Sequence, residues 1–232
     1  MKILLILRGI SYSTIYKNSF KLCHDYRYTY NNFFKMVYDP LVKEGHDVEL
    51  MVSTYDSAEF ENVKNIYNPN HIVLLPSETI KKMKNGPDVT HKVQLPLLSI
   101  CKTIESEIDH DIIIMHRFDL SMKVPMTELL DKTDPMKYNF LWRECSEEHW
   151  IKHRRVSDGI FFIYKHQIDS FKKTFELILK RKCHLHFTLH YLKNHMKIIK
   201  SDSEINILYL DGFLDSNTFK CENPYYTQNY KV

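Results

Sequence analysis

The sequence predicts an α/β protein built on a mostly parallel central sheet with helices on both faces, folded as a single domain. Three observations carry this. Apolar runs of strand length recur at Ile3 to Leu7, Val48 to Ser53, Ile72 to Leu75 and Ile112 to Met115. They are largely continuous rather than alternating, which is how strands buried on both faces read. Between several of them, apolar residues fall three or four apart, the spacing of an amphipathic helix. Strand alternating with helix favours parallel pairing, because parallel neighbours need a crossover connection.

Taken in order, the first run ends at Arg8-Gly9, a strand-to-loop transition. Residues from about 18 to 38, with Phe20, Phe33, Phe34 and Val37, predict a helix ending at Asp39-Pro40. The second strand stops at Thr54-Tyr55-Asp56-Ser57, a polar turn suited to capping a helix that starts near Ala58. Pro76 closes the third strand. Lys81 to Pro87 reads as a loop, and Leu97, Leu98, Cys101, Ile104 and Ile108 form one apolar stripe. The second half is less regular. It predicts strands at Tyr138 to Trp142, Gly159 to Tyr164 and Ile205 to Leu210, and a helix marked by Ile168, Phe171, Phe175 and Ile178. A further helix is expected in the histidine-dense segment from Cys183 to His195.

Composition bounds the function. With 232 residues, 44% apolar and 13% aromatic, the chain can bury a sizeable core. A formal net charge of +3 is too small to argue for nucleic acid. The one basic run, Lys152-His153-Arg154-Arg155, suits a solvated loop. Five dispersed cysteines without a CxxC pair argue against a disulfide framework or zinc ribbon and suit a reducing compartment. The apolar run at the N-terminus is too short for a signal peptide, and no stretch approaches transmembrane length. Five glycines leave no room for a glycine-rich phosphate loop.

The stretch Asp111 to Leu120 organises the candidate site. Ligands of open α/β sheets bind beyond the carboxyl ends of the strands, and Arg117-Phe118-Asp119 falls at such an end. Asp119 offers an oxygen ligand for Mg²⁺ or Mn²⁺, with Arg117 for phosphate; the alternative is a strand-terminal Asp paired with Arg117. Arg8 and Gly9 follow the first strand, where a cation meets a diphosphate or simply faces solvent. Thr54, Tyr55, Asp56 and Ser57 share the same edge, where Asp56 or Ser57 suits a base or ribose and Tyr55 suits stacking. A helix N-cap competes with that reading. Asp158 before Gly159 is a candidate general base, or a turn-forming Asp-Gly. Glu144 is second choice for the same role. His186 and His190 are four apart, but Phe187 stands where HExxH needs its Glu, which argues against a zinc hydrolase. His184 or His186 can supply a second cation ligand, and His186 is the one carried forward.

The motifs Leu7-Arg8-Gly9, Ser53 to Ser57, Arg117 to Leu120, Val156 to Gly159 and the tail Asp215 to Thr218 with Asn223-Pro224-Tyr225 occur in that order. Together they resemble the small GT-A-fold glycosyltransferases encoded by large algal and amoebal DNA viruses and some bacteria. The resemblance implies a transferase using a UDP- or GDP-sugar and a glycan or glycoprotein acceptor, with Mn²⁺ or Mg²⁺. Arg117-Phe118-Asp119 replaces the usual DxD, so only Asp119 carries over as metal ligand. It further implies a nucleotide-binding half over about 1–120 and an acceptor half over about 121–232. A soluble cytoplasmic protein is expected, in the host cytoplasm if viral. The alternatives are a nucleotidyltransferase acting on a sugar phosphate, and an inactive nucleotide- or carbohydrate-binding module.

Overall fold

The structure is a computed structural model. It describes residues 1–17, 20–76, 109–141, 156–181, 183, 185–196, 207–210 and 226–228. Among these, seven strands form one sheet: β1 Lys2–Arg8, β4 Asp47–Tyr55, β5 His71–Leu75, β6 Ile112–Arg117, β8 Tyr138–Phe140, β9 Ile160–Tyr164 and β10 Ile207–Tyr209. Their order is β10-β8-β9-β6-β1-β4-β5. β1 pairs in parallel with β4 and β6, as do β4 with β5 and β10 with β8; only β9 runs against its neighbours. The mostly parallel α/β class expected from the sequence is the one observed.

The two faces can be read from β1. Ile3, Leu5 and Leu7 join a core with Phe33, Val37, Leu41, Val63, Leu129 and Leu130. Leu4 and Ile6 point the other way, into a core with Phe171, Phe175, Ile178, Leu189 and Leu192. Both sets are almost fully buried, as a continuous apolar run requires. The first face is covered by α1 Tyr30–Phe33, α2 Asp39–Lys43, α3 Phe60–Tyr67 and α4 Met126–Asp131; the second by α5 Ile168–Lys180 and α6 Thr188–Met196. No helix among the described residues is long and apolar enough to cross a membrane.

Several local expectations are corrected. The helix expected from about residue 18 begins at Tyr30. Before it, β2 Tyr12–Lys17 and β3 Phe20–Asp25 pair antiparallel, so Phe20 is a strand residue. Phe20, Leu22 and the polar residues between them alternate with period two, a strand pattern next to β-favouring Thr14, Ile15 and Tyr16. Nor does the helix stop at Asp39-Pro40. The turn Phe34–Tyr38 widens to a π-helix that leads into α2, with Pro40 in its first turn. Proline has no N–H and clashes with the carbonyl four residues back, so a wider turn lets the helix continue past it. The cap of α3 is Glu59, not Asp56 or Ser57, and it makes no side-chain cap bond. Two short strands went unpredicted: β7 Leu120–Met122 pairs antiparallel with β11 Tyr226–Gln228. The loop expected at Lys81 to Pro87, the stripe from Leu97 to Ile108 and the tail motifs through Tyr225 lie outside the described residues.

Candidate active site

Parallel register brings the strand ends into one row, with Arg8 beside Ser53 of β4 and Arg117 of β6. The loops beyond are stitched together. The Gly9 N–H donates to the Ser53 carbonyl at 3.1 Å, and the Phe118 N–H to the Arg8 carbonyl at 3.0 Å. Gly9 has a φ of 109°, which L side chains rarely adopt, and so lets the chain turn at once after Arg8. Because β9 runs antiparallel, its start also meets this rim, with His116 opposite Ile160 and Asp158 just before it.

Four charged side chains meet there. The Arg117 fork grips Asp119, Nε to Oδ1 at 2.9 Å and Nη2 to Oδ2 at 2.5 Å, while Nη1 donates to Asp158 Oδ1 at 2.8 Å. Arg8, 1% exposed, donates through Nη2 to the Asp158 carbonyl, and its guanidinium lies 5.8 Å from the centre of the Phe161 ring. Buried charges persist only when paired and hydrogen-bonded, so the cluster neutralises itself. His186 approaches from the α6 side. Its Nδ1–H donates to the Val156 carbonyl at 2.8 Å, its own carbonyl accepts the Val156 N–H at 2.9 Å, and its Nε2 is 3.8 Å from Asp158 Oδ1. Burial alone would raise the Asp158 carboxyl. The positive charges of Arg117, His186 and Arg8 outweigh that and hold it far below the usual carboxylate range.

This environment bears on the assigned roles. A general base works best with a pKa near the working pH, and Asp158 is held ionised and weakly basic. Its carboxylate accepts the Arg117 Nη1–H. Glu144 lies outside the described residues. The residues also fail to fit a divalent cation. Mg²⁺ and Mn²⁺ need open carboxylate oxygens, yet both Asp119 oxygens accept N–H bonds from a guanidinium. His186 turns Nδ1 to a carbonyl, and the described residues hold no cluster of three or more metal-ligating side chains.

At the β4 end, Thr54 and Tyr55 are enclosed and Asp56 is exposed. Thr54 Oγ1 lies 2.9 Å from both the Gly9 carbonyl and Ser11 Oγ and accepts the Ser11 N–H at 3.2 Å, so it ties two loops together. Tyr55 is 1% exposed, burial raises its hydroxyl pKa, and a ring so enclosed has no open face for a base. Asp56 donates its N–H to the Leu75 carbonyl at 2.7 Å, while the Ser57 hydroxyl is buried without a partner among the described residues. Phe118, 3% exposed, packs edge-on against Tyr67 and is a core residue at the rim. Ser11 and Thr29 were missed by sequence reasoning. Thr29 Oγ1 donates to the Phe118 carbonyl at 2.6 Å and fixes the loop carrying Asp119; no sequence pattern marked either. Thr54→Val should therefore cost about 1–2 kcal/mol by stranding the Ser11 N–H. The urea midpoint will report it, and an unchanged midpoint refutes the stitching role.

No family model and no curated protein matches the sequence. The similar solved structures include sugar-transferring enzymes of the GT-A build. One is the galactosyltransferase LgtC in complex with donor and acceptor sugar analogues, with TM-score 0.48 and 11% identity over 90% of this chain and 73% of that one. Mouse xyloside xylosyltransferase 1, apo form, gives TM-score 0.42 and 12% identity over 90% of this chain and 84% of that one. A glycosyltransferase involved in glycosylation of the major capsid of PBCV-1 gives 0.42 and 13%, over 90% and 81%. At these scores the likeness stops at overall outline, and nothing about the site follows from it.

Proposed function

We propose that this chain is a nucleotide-sugar-dependent glycosyltransferase of GT-A-like build, acting on a hydroxyl of a glycan or protein. The observation that carries the reading is the meeting of Arg8, Arg117, Asp119 and Asp158 at the carboxyl rim of a mostly parallel sheet. That rim is where such sheets bind ligands, and the part-exposed Arg117 guanidinium there offers N–H donors to the charge that develops as a nucleoside diphosphate departs. The bond between the sugar C1 and the diphosphate oxygen breaks, and its electron pair goes to the diphosphate. The acceptor oxygen bonds to C1, and its proton passes to the departing diphosphate or to solvent. The low basicity of Asp158 favours a second reading, a nucleotide- or carbohydrate-binding module without turnover.

A thermal-shift screen with UDP-, GDP- and dTDP-sugars tests both. One donor class should raise the melting temperature, since a ligand bound by the native state stabilises it. Release of the matching nucleoside diphosphate in the presence of glycan acceptors then separates enzyme from module. Stabilisation without release supports the module, and no stabilisation by any nucleotide sugar overturns the transferase reading and the nucleotide-binding form of the module.

A further inference from the structure

We infer that Arg117 is the built-in cation of this site, so that a nucleoside diphosphate binds here without a divalent metal. The inference rests on the donor reading above and deepens it. The place a metal would take between two carboxylates is filled: three hydrogen bonds of 2.5 to 2.9 Å run from one guanidinium to Asp119 and Asp158. A divalent ion on either Asp119 oxygen would sit within about 5 Å of that positive charge, and Coulomb repulsion at that range is strong in a half-buried setting. Relative to a carboxylate at position 117, an arginine changes the local charge by two units, the charge a divalent ion would bring.

Access favours the same assignment. The Arg117 side chain is 20% exposed, against 8% for Asp119 and 10% for Asp158, so an anion reaching the cluster from solvent meets the guanidinium more readily than the carboxylates. The planar fork suits phosphate oxygens as it suits carboxylates. Asp119 and Asp158 hold it in plane, and Arg8 fixes the Asp158 backbone behind it.

Calorimetry with UDP, GDP and dTDP, on the whole protein, in EDTA and again with Mn²⁺, tests this. Affinity should agree within about twofold between the two buffers. Mn²⁺ added alone should show no bound signal by electron paramagnetic resonance. Arg117→Lys keeps the charge and loses the fork, and should bind about tenfold more weakly in EDTA. Arg117→Asp should lose metal-free binding and gain a melting temperature that rises with Mn²⁺. If either variant fails to fold, the two wild-type buffers decide alone. Nucleotide binding that needs Mn²⁺, or Mn²⁺ held by the wild type without nucleotide, overturns the inference and leaves the donor reading standing. Absence of UDP, GDP and dTDP binding in both buffers overturns the two together.

Discussion

Arg117→Ala should cost about 3–5 kcal/mol of folding stability, the range seen when one partner of a buried ion pair is removed. Its side chain makes all three of the carboxylate contacts described above. Truncation leaves two enclosed carboxylates, Asp119 and Asp158, without the guanidinium between them, with only the positive charges of His186 and Arg8 near Asp158 among the described residues. At 20% exposure water relieves part of this, so the lower end of the range is expected. For a chain of this length that corresponds to a fall of roughly 6–12 °C in melting temperature. Adding Asp158→Asn to the alanine variant should recover part of the loss, because one of two neighbouring negative charges disappears. The double-mutant cycle measures that coupling. A single variant melting within about 2 °C of wild type would show that the network contributes little.

Acid should destabilise the protein through His116, beginning above the range in which carboxylates titrate. The ring is 1% exposed, packs edge-on against Phe33 at 5.8 Å, and neither nitrogen has a hydrogen-bond partner among the described residues. Burial moves its pKa from 6.5 to about 4, against the opposing pull of Asp119. The sign follows. Between those values the unfolded chain takes up a proton that the folded chain refuses, so stability is intact above about pH 6.5 and falls as pH drops toward 4. Across that window the loss from this one group is roughly 3 kcal/mol. His116→Phe keeps the edge-on contact and removes the proton site. Urea midpoints measured from about pH 7 to pH 4 should therefore fall less steeply in the variant. Parallel slopes would remove His116 as the cause.

The sheet was largely legible because its strands are buried on both faces. A run such as Ile112 to Met115 has few other readings, and β9 and α5 showed equally firm patterns. The stretch before Tyr30 was not legible in the same way. Aromatic residues at helical spacing from Phe20 to Val37 bridge a hairpin and a helix, and only the period-two alternation near Phe20 separates them. Pro40 misled for a different reason: its usual effect of ending a helix was absorbed by the π turn before it. Short strands such as β7 and β11 hold too few residues for any period to show. At the site, the rim was legible from strand ends alone. The pairing of Arg117 with Asp119 was left as one alternative, and burial decides for it. With Phe118 turned into the core, its two neighbours in sequence share the opposite side and neutralise each other. A spaced cation and anion flanking a core aromatic is the signal that could have been weighted more.

The ladder joining Tyr226–Gln228 to Leu120–Met122 has a practical consequence. Those partner residues begin directly after Asp119, so an affinity tag placed after Gln228 would hang from a segment bonded to the rim that carries Arg117 and Asp119. Met1 is a better anchor. Its carbonyl accepts the Asp47 N–H at the opposite end of β1, about 20 Å away at the usual rise per strand residue. Purification handles and surface-attachment chemistry placed there leave the Arg117 rim untouched.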